Sequence, residues 1–85
     1  MRIYYSSKFE REYRKLPVRV KEKAEEKEKL FRIDPYNAKL KTHKLSGKLS
    51  GYWALLIDRK YRIIFEFADE NVIWFHSVGD HSIYQ

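Results

Sequence analysis

Chemistry in this sequence would fall to five side chains: His43, Arg62, His76, His81 and Tyr84. His43 stands among Lys41, Lys44 and Lys48, so an anion drawn to those cations would meet an imidazole able to take or give a proton. Arg62 interrupts the apolar run Tyr61-Arg62-Ile63-Ile64-Phe65. A guanidinium is costly to bury alone, so it either pairs with Asp58 or Glu66 or stands on a rigid strand to grip a phosphate through two parallel hydrogen bonds. The second use is favoured, because rigid placement is what stabilising a transition-state charge requires. His81 and Tyr84 follow Gly79-Asp80, just past the last apolar run, and offer a proton donor and a stacking plane where a frayed tail is the plainer expectation. His76 alternates with Trp74 and Val78 and reads as a packed strand residue without a special role. The histidines lack metal-ligand spacing, and no glycine-rich phosphate loop or Ser-His-Asp constellation is present, so no metal or cofactor is expected.

The elements that must position these groups are legible in outline. Arg2–Tyr5 is β-branched and aromatic, as a short strand would be. Ser6 or Ser7 then caps a helix, and Ser7 with Glu10 fits a capping box. Phe9, Tyr13 and Leu16 give that helix one buried face. Pro17 suits the first turn of a second helix, which runs to about Ile33 with Val20, Ala24 and Phe31 inward; Asp34-Pro35 ends it. Residues 35–50 read as a long basic loop with a short strand near His43–Leu45. Three runs follow, Tyr52–Ile57, Tyr61–Phe67 and Val72–Val78, rich in aromatic and β-branched residues and joined by segments short enough for hairpins. In the middle run Tyr61, Ile63, Phe65 and Phe67 point toward the helices, and Arg62, Ile64 and Glu66 toward an open face. The fold class is α+β: an N-terminal strand and a two-helix hairpin packed on an antiparallel meander, as one domain over 1–85.

The chain has 85 residues, no cysteine and 14 aromatic residues, counting seven Tyr, five Phe and two Trp. Neither disulfides nor zinc thiolates can hold it together, so a small aromatic core must. The charged N-terminus does not resemble a signal peptide, and no apolar run approaches the roughly 20 residues that span a bilayer, which points to the cytoplasm and away from membranes. Net charge is +6 and unevenly placed: residues 1–50 hold 15 Lys and Arg against 7 acids, and residues 51–85 hold 3 against 5. Alternating Lys and Glu in the second helix make a solvated face. Lys39, Lys41, Lys44 and Lys48, with no acid anywhere in 35–50, instead make the electrostatic footprint of a nucleic-acid binder, and RNA is the best-suited partner.

Taken together, HKLSGKLSGYWALLIDRKYRIIF (43–65) and VGDHSIY (78–84) resemble the RelE/ParE superfamily of toxins from toxin–antitoxin pairs, nearest its YoeB-like and YafQ-like branches. The resemblance spans nearly the whole chain. It implies a toxin of a type II system that cleaves mRNA, in many members on the ribosome, and an acidic antitoxin covering its groove. It also implies roles: His43 as general base, Arg62 on the scissile phosphate, His81 as general acid, and Tyr84 near the family's terminal aromatic residue; Tyr84 with Trp53 is then expected to stack on bases. In RelE itself the first meander strand presents two lysines to the groove, where Trp53 and Leu55 stand here. YafQ-like members carry further acid–base residues where Leu56 and Lys60 stand. The alternatives are a ParE-like inhibitor of DNA gyrase and an RNA-binding module without chemistry.

Overall fold

A computed structural model describes residues 1–84. Its elements in chain order are strand β1 (Arg2–Tyr5), helices α1 (Ser7–Arg14) and α2 (Val18–Ile33), strand β2 (His43–Lys44), then strands β3 (Trp53–Leu56), β4 (Arg62–Asp69) and β5 (Val72–Gly79). Three short 3-10 turns intervene at Ala38–Leu40, Gly47–Leu49 and His81–Tyr84. The strands form one sheet in the order β1-β5-β4-β3-β2. The last three strands pair antiparallel, as expected; β2 adds to β3, also antiparallel, while β1 joins β5 in parallel and makes the sheet mixed.

The helix start differs in detail from its expectation. Ser6 is the cap: its Oγ accepts from Phe9 N at 3.0 Å and donates to His76 O at 2.8 Å. Ser7 is already helical, and Glu10 N bonds the Ser6 carbonyl, so the Ser7/Glu10 capping box does not form. A cap on Ser6 answers one orphan N–H of α1 and ties it to β5 in the same stroke. Pro17 stands one residue outside α2 as its cap, where a fixed φ is harmless and no N–H is needed.

Both helices lie on one face of the sheet. Phe9, Leu16, Val20, Ala24 and Phe31 meet Leu55, Ile57, Ile63, Phe65, Ile73, Phe75 and Val78 in a single apolar cluster. Phe31 is its centre, edge-on to Phe65 at 5.0 Å and to Phe75 at 5.7 Å, contacts worth about 0.5–1.5 kcal/mol each beyond area burial. The alternation expected for β4 therefore holds on the core side, with Ile63 and Phe65 fully buried and Tyr61 and Phe67 packed at its margins. The other face is less open than expected, because Ile64 and its cross-strand neighbour Ala54 are buried too.

Two features that carry no periodic signal complete the fold. Leu40, inside the stretch read as a polar loop, is fully buried and joins the core through a 3-10 turn capped by Asn37. Glu12 on α1 closes the edge of β5 where β1 stops: its carboxylate accepts from Val78 N at 3.1 Å and from Ser77 Oγ at 2.8 Å. A pairing irregularity at His76 coincides with that change of neighbour, since Ile64 pairs with Ser77 and Phe65 with Phe75.

Leu40→Ala should lower the unfolding free energy by about 2–5 kcal/mol in urea titrations, as a fully buried core position does. The exposed Val18→Ala control should stay within about 0.5 kcal/mol of the parent. Equal losses at both positions would contradict the burial assigned to the basic segment.

Candidate functional site

The site is built from the β3–β4 turn outward. Asp58 opens that turn and turns its carboxylate back onto the backbone, accepting from Lys60 N at 2.9 Å and Tyr61 N at 2.8 Å. Its own carbonyl accepts from the Arg62 guanidinium at 2.8 Å, and the Tyr61 carbonyl takes a further bond at 3.2 Å. Arg62 is thus held by backbone oxygens and not by the carboxylates of Asp58 or Glu66. Asp58 pairs with Lys23 at 3.8 Å and Glu66 with His76 at 2.9 Å. Among the described residues no carboxylate lies within ion-pair distance of Arg62, so its charge is oriented but not neutralised. Burial alone would raise the Asp58 pKa, but the two N–H donors, Lys23 and Arg62 hold it below the usual carboxylate value.

The end of the chain returns to the same place. Asp80 accepts from Ser82 N at 3.0 Å and Ser82 Oγ at 2.7 Å, which starts the 3-10 turn His81–Tyr84. Gly79, directly opposite Arg62 in the ladder, lets that turn settle: a Cβ there would stand 2.6 Å from Ile83 Cγ2. The His81 ring meets Tyr84 edge-on at 5.1 Å. Burial raises the Tyr84 pKa, and the neighbouring Arg62 offsets part of that rise, so the phenol keeps its proton at neutral pH. Arg59, Lys60, Arg62, Asp80, His81 and Ser82 line an open trough of ≈ 570 Å³. Four of those six can carry positive charge, which favours an anionic occupant.

His43 reaches this face from the far side of the sheet. It pairs with Ala54, which pairs with Ile64, two residues along β4 from Arg62. Direct cross-strand partners share a face, so His43 and Arg62 do as well, with their Cα atoms about 12 Å apart from strand spacing and rise. The His43 Nδ1 lies 2.8 Å from the Lys41 carbonyl. A carbonyl can only accept, so Nδ1 carries the hydrogen and Nε2 keeps its lone pair in the neutral ring. That is the tautomer a base requires.

The same pairing separates Trp53 from this group. Trp53 pairs with Phe65 and packs on the helix side, one residue out of phase with Ala54 and Leu56. The β3 positions on the Arg62 face are therefore Ala54 and Leu56, and a stacking role for Trp53 beside Arg62 does not fit. Lys44, opposite Trp53, goes with it and holds its Nζ 5.5 Å from that ring. Lys39, Lys41 and Lys48 are exposed on the turns flanking β2. His76 is a packed strand residue, as expected, bonded to Glu66 and edge-on to Tyr52 at 5.0 Å. No cluster of three or more potential metal ligands occurs among the described residues. No helix among the described residues is long and apolar enough to cross a membrane.

No family model matches the chain, and no curated protein does. Solved structures do. YafQ from E. coli strain BL21(DE3) superposes with a TM-score of 0.81 at 22% identity, over 98% of this chain and 96% of that one. The YoeB/ParE toxin from Agrobacterium tumefaciens gives 0.80 at 18% identity, over 95% and 99%. The RelB-RelE antitoxin-toxin complex from Methanococcus jannaschii gives 0.74 at 21% identity, over 94% and 93%. This chain has the RelE-like fold. Within it, the positioning role of Asp58 went unread because an Asp before a hairpin was weighed only as an ion-pair partner. Its place at the head of Asp58-Arg59-Lys60-Tyr61 was the available signal for a side chain that bonds the backbone ahead of it.

Asp58 yields a pH test. A carboxyl held below its ordinary value of 3.8 contributes stability that is full above that pH and is lost as pH falls through the folded value. The stability difference between the parent and Asp58→Asn, measured by urea midpoints, should be largest at pH 7 and shrink toward pH 3. A gap independent of pH would contradict the assignment.

Proposed function

We propose that the chain is the toxin of a type II toxin–antitoxin pair and an endoribonuclease that cleaves mRNA, in the ribosome, through the substrate's own 2′-hydroxyl. His43 Nε2 removes the 2′-hydroxyl proton, and the resulting oxygen attacks the adjacent phosphorus. Arg62 stabilises the charge gathering on the phosphorane, and His81 protonates the departing 5′-oxygen. Tyr84 lies against Arg62 and His81 and offers its ring to a base. The products are a 2′,3′-cyclic phosphate and a 5′-hydroxyl. The observation that carries this reading is an oriented guanidinium with no carboxylate at ion-pair distance among the described residues, in a largely cationic trough, with a proton donor beside it and a base-competent imidazole on the same sheet face.

The partner follows from the same face. A basic trough is closed most readily by an acidic segment, and an acidic antitoxin is the proposed occupant in the resting cell. The superposed YafQ and RelE structures include toxin–antitoxin complexes, DinJ-YafQ and RelB-RelE, which supports a partner of this kind.

His43→Ala, Arg62→Ala and His81→Ala should each slow cleavage of ribosome-bound mRNA by about 10²–10⁴-fold, scored by primer extension, with 5′-hydroxyl ends in the parent products. Arg62→Lys should not restore the rate, because an ammonium cannot grip two phosphate oxygens in one plane. Intact cleavage in both histidine variants would sink the mechanism. Inhibition of gyrase supercoiling by the parent, without RNA cleavage, would replace it with a ParE-like function.

A further inference from the structure

The helix side of the sheet carries a second concentration of rings and positive charge, around the corner from the trough. Tyr36, Trp53 and Phe67 converge there from the segment after α2, from β3 and from β4. Tyr36 lies edge-on to Trp53 at 5.9 Å and stacked on Phe67 at 5.9 Å, and Trp53 stands edge-on to Phe67 at 5.1 Å. With Lys44, Ser50 and Gly51 they line a cavity of ≈ 520 Å³. Tyr36 is 60% exposed although held by two other rings, so one aromatic surface is presented to solvent in a set orientation. Gly51, at φ +96, leaves the wall beside it bare: a Cβ there would meet no atom within 4 Å.

We propose that this corner is a second RNA subsite, which takes an unpaired nucleotide of the strand whose scissile bond lies at Arg62. This rests on the ribonuclease reading and extends it to a path. Flat faces at the corner suit a base, and Lys44 beside them suits its phosphate. The neighbouring segment 35–50 holds Lys39, Lys41, Lys44 and Lys48 and no acid, while the Asp34 carboxylate just before it is engaged by Tyr36 N at 3.0 Å. A peptide of acidic residues alone would satisfy the charge and leave the rings without a stacking partner. The route between the two sites runs over β2, which is only two residues long. Its consecutive side chains turn to opposite faces: His43 with Ala54 toward Arg62, Lys44 with Trp53 toward the corner. A single strand crossing this edge meets a base-competent imidazole on one side and an ammonium on the other. The corner contributes binding and register, and no bond is made or broken there.

The test uses the whole chain with Trp74→Phe, which leaves Trp53 the sole tryptophan, and a 2′-O-methyl hexanucleotide that cannot be cleaved. Titration should quench Trp53 fluorescence. Tyr36→Ala should weaken binding by about 5- to 100-fold, and Lys44→Ala should reduce the dependence of log K on log salt by about one unit. Polyglutamate of matched charge should leave Trp53 unquenched. Unchanged affinity in Tyr36→Ala, with native circular dichroism, overturns the subsite. An equal Trp53 response to polyglutamate also overturns it, in favour of a site for acidic protein. Arg62→Ala separates this inference from the one beneath it: quenching that persists while cleavage is lost supports both. Quenching by a parent that never cleaves RNA supports the subsite and fails the nuclease.

Discussion

Everything in this molecule turns on the two faces of β4. One side of that strand, Ile63 and Phe65, is buried in the core that α2 covers, and this fixes the strand in place and in phase. Side chains alternate strictly, so the same packing dictates where Arg62 must point. The guanidinium owes its aim to the apolar core behind it. Polar contacts then refine that aim: backbone carbonyls from a turn braced by Asp58 hold the head group and leave its charge unspent.

Around this fixed point the remaining groups are brought in by different means. The C-terminal turn is folded back by Asp80 and admitted by the bare Cα of Gly79, so His81 and Tyr84 belong to a short local structure resting on β5. His43 arrives through sheet pairing across β3, oriented by one bond to its own backbone two residues earlier. Three independent local solutions meet on one surface. That separates the chemical groups along the chain while leaving each with its own support.

Much of this was legible in the residues. Period-two alternation in Tyr61–Phe67 and helical spacing of Val20, Ala24 and Phe31 report burial directly, and burial is what the core is made of. Arg62 stood out because a cation inside an apolar strand requires a reason. Other features left no such trace. Parallel pairing of β1 with β5 joins segments 70 residues apart, and no local pattern encodes it. Leu40 sits alone among polar neighbours, so its burial has no period to reveal it. The face taken by Trp53 left no trace either: an aromatic at the start of a four-residue strand fits either side, and only the pairing with Phe65 decides. The capping serine was ambiguous for a related reason, since Ser6 and Ser7 are chemically equivalent and the choice falls to whichever can also reach β5.

The brevity of β2 has a consequence for the molecule in a crowded cell. A sheet that ends in a long bare strand offers its unpaired N–H and C=O groups to any other chain, and fibrous association begins there. Here the exposed margin is a two-residue strand flanked by tight turns and dense in lysine, too short to seed a ladder and too charged to welcome one. At the opposite margin β1 spans four residues, after which Glu12 takes up the vacant Val78 N–H of its neighbour. A margin this short and this charged disfavours edge-to-edge addition of a foreign backbone at β2.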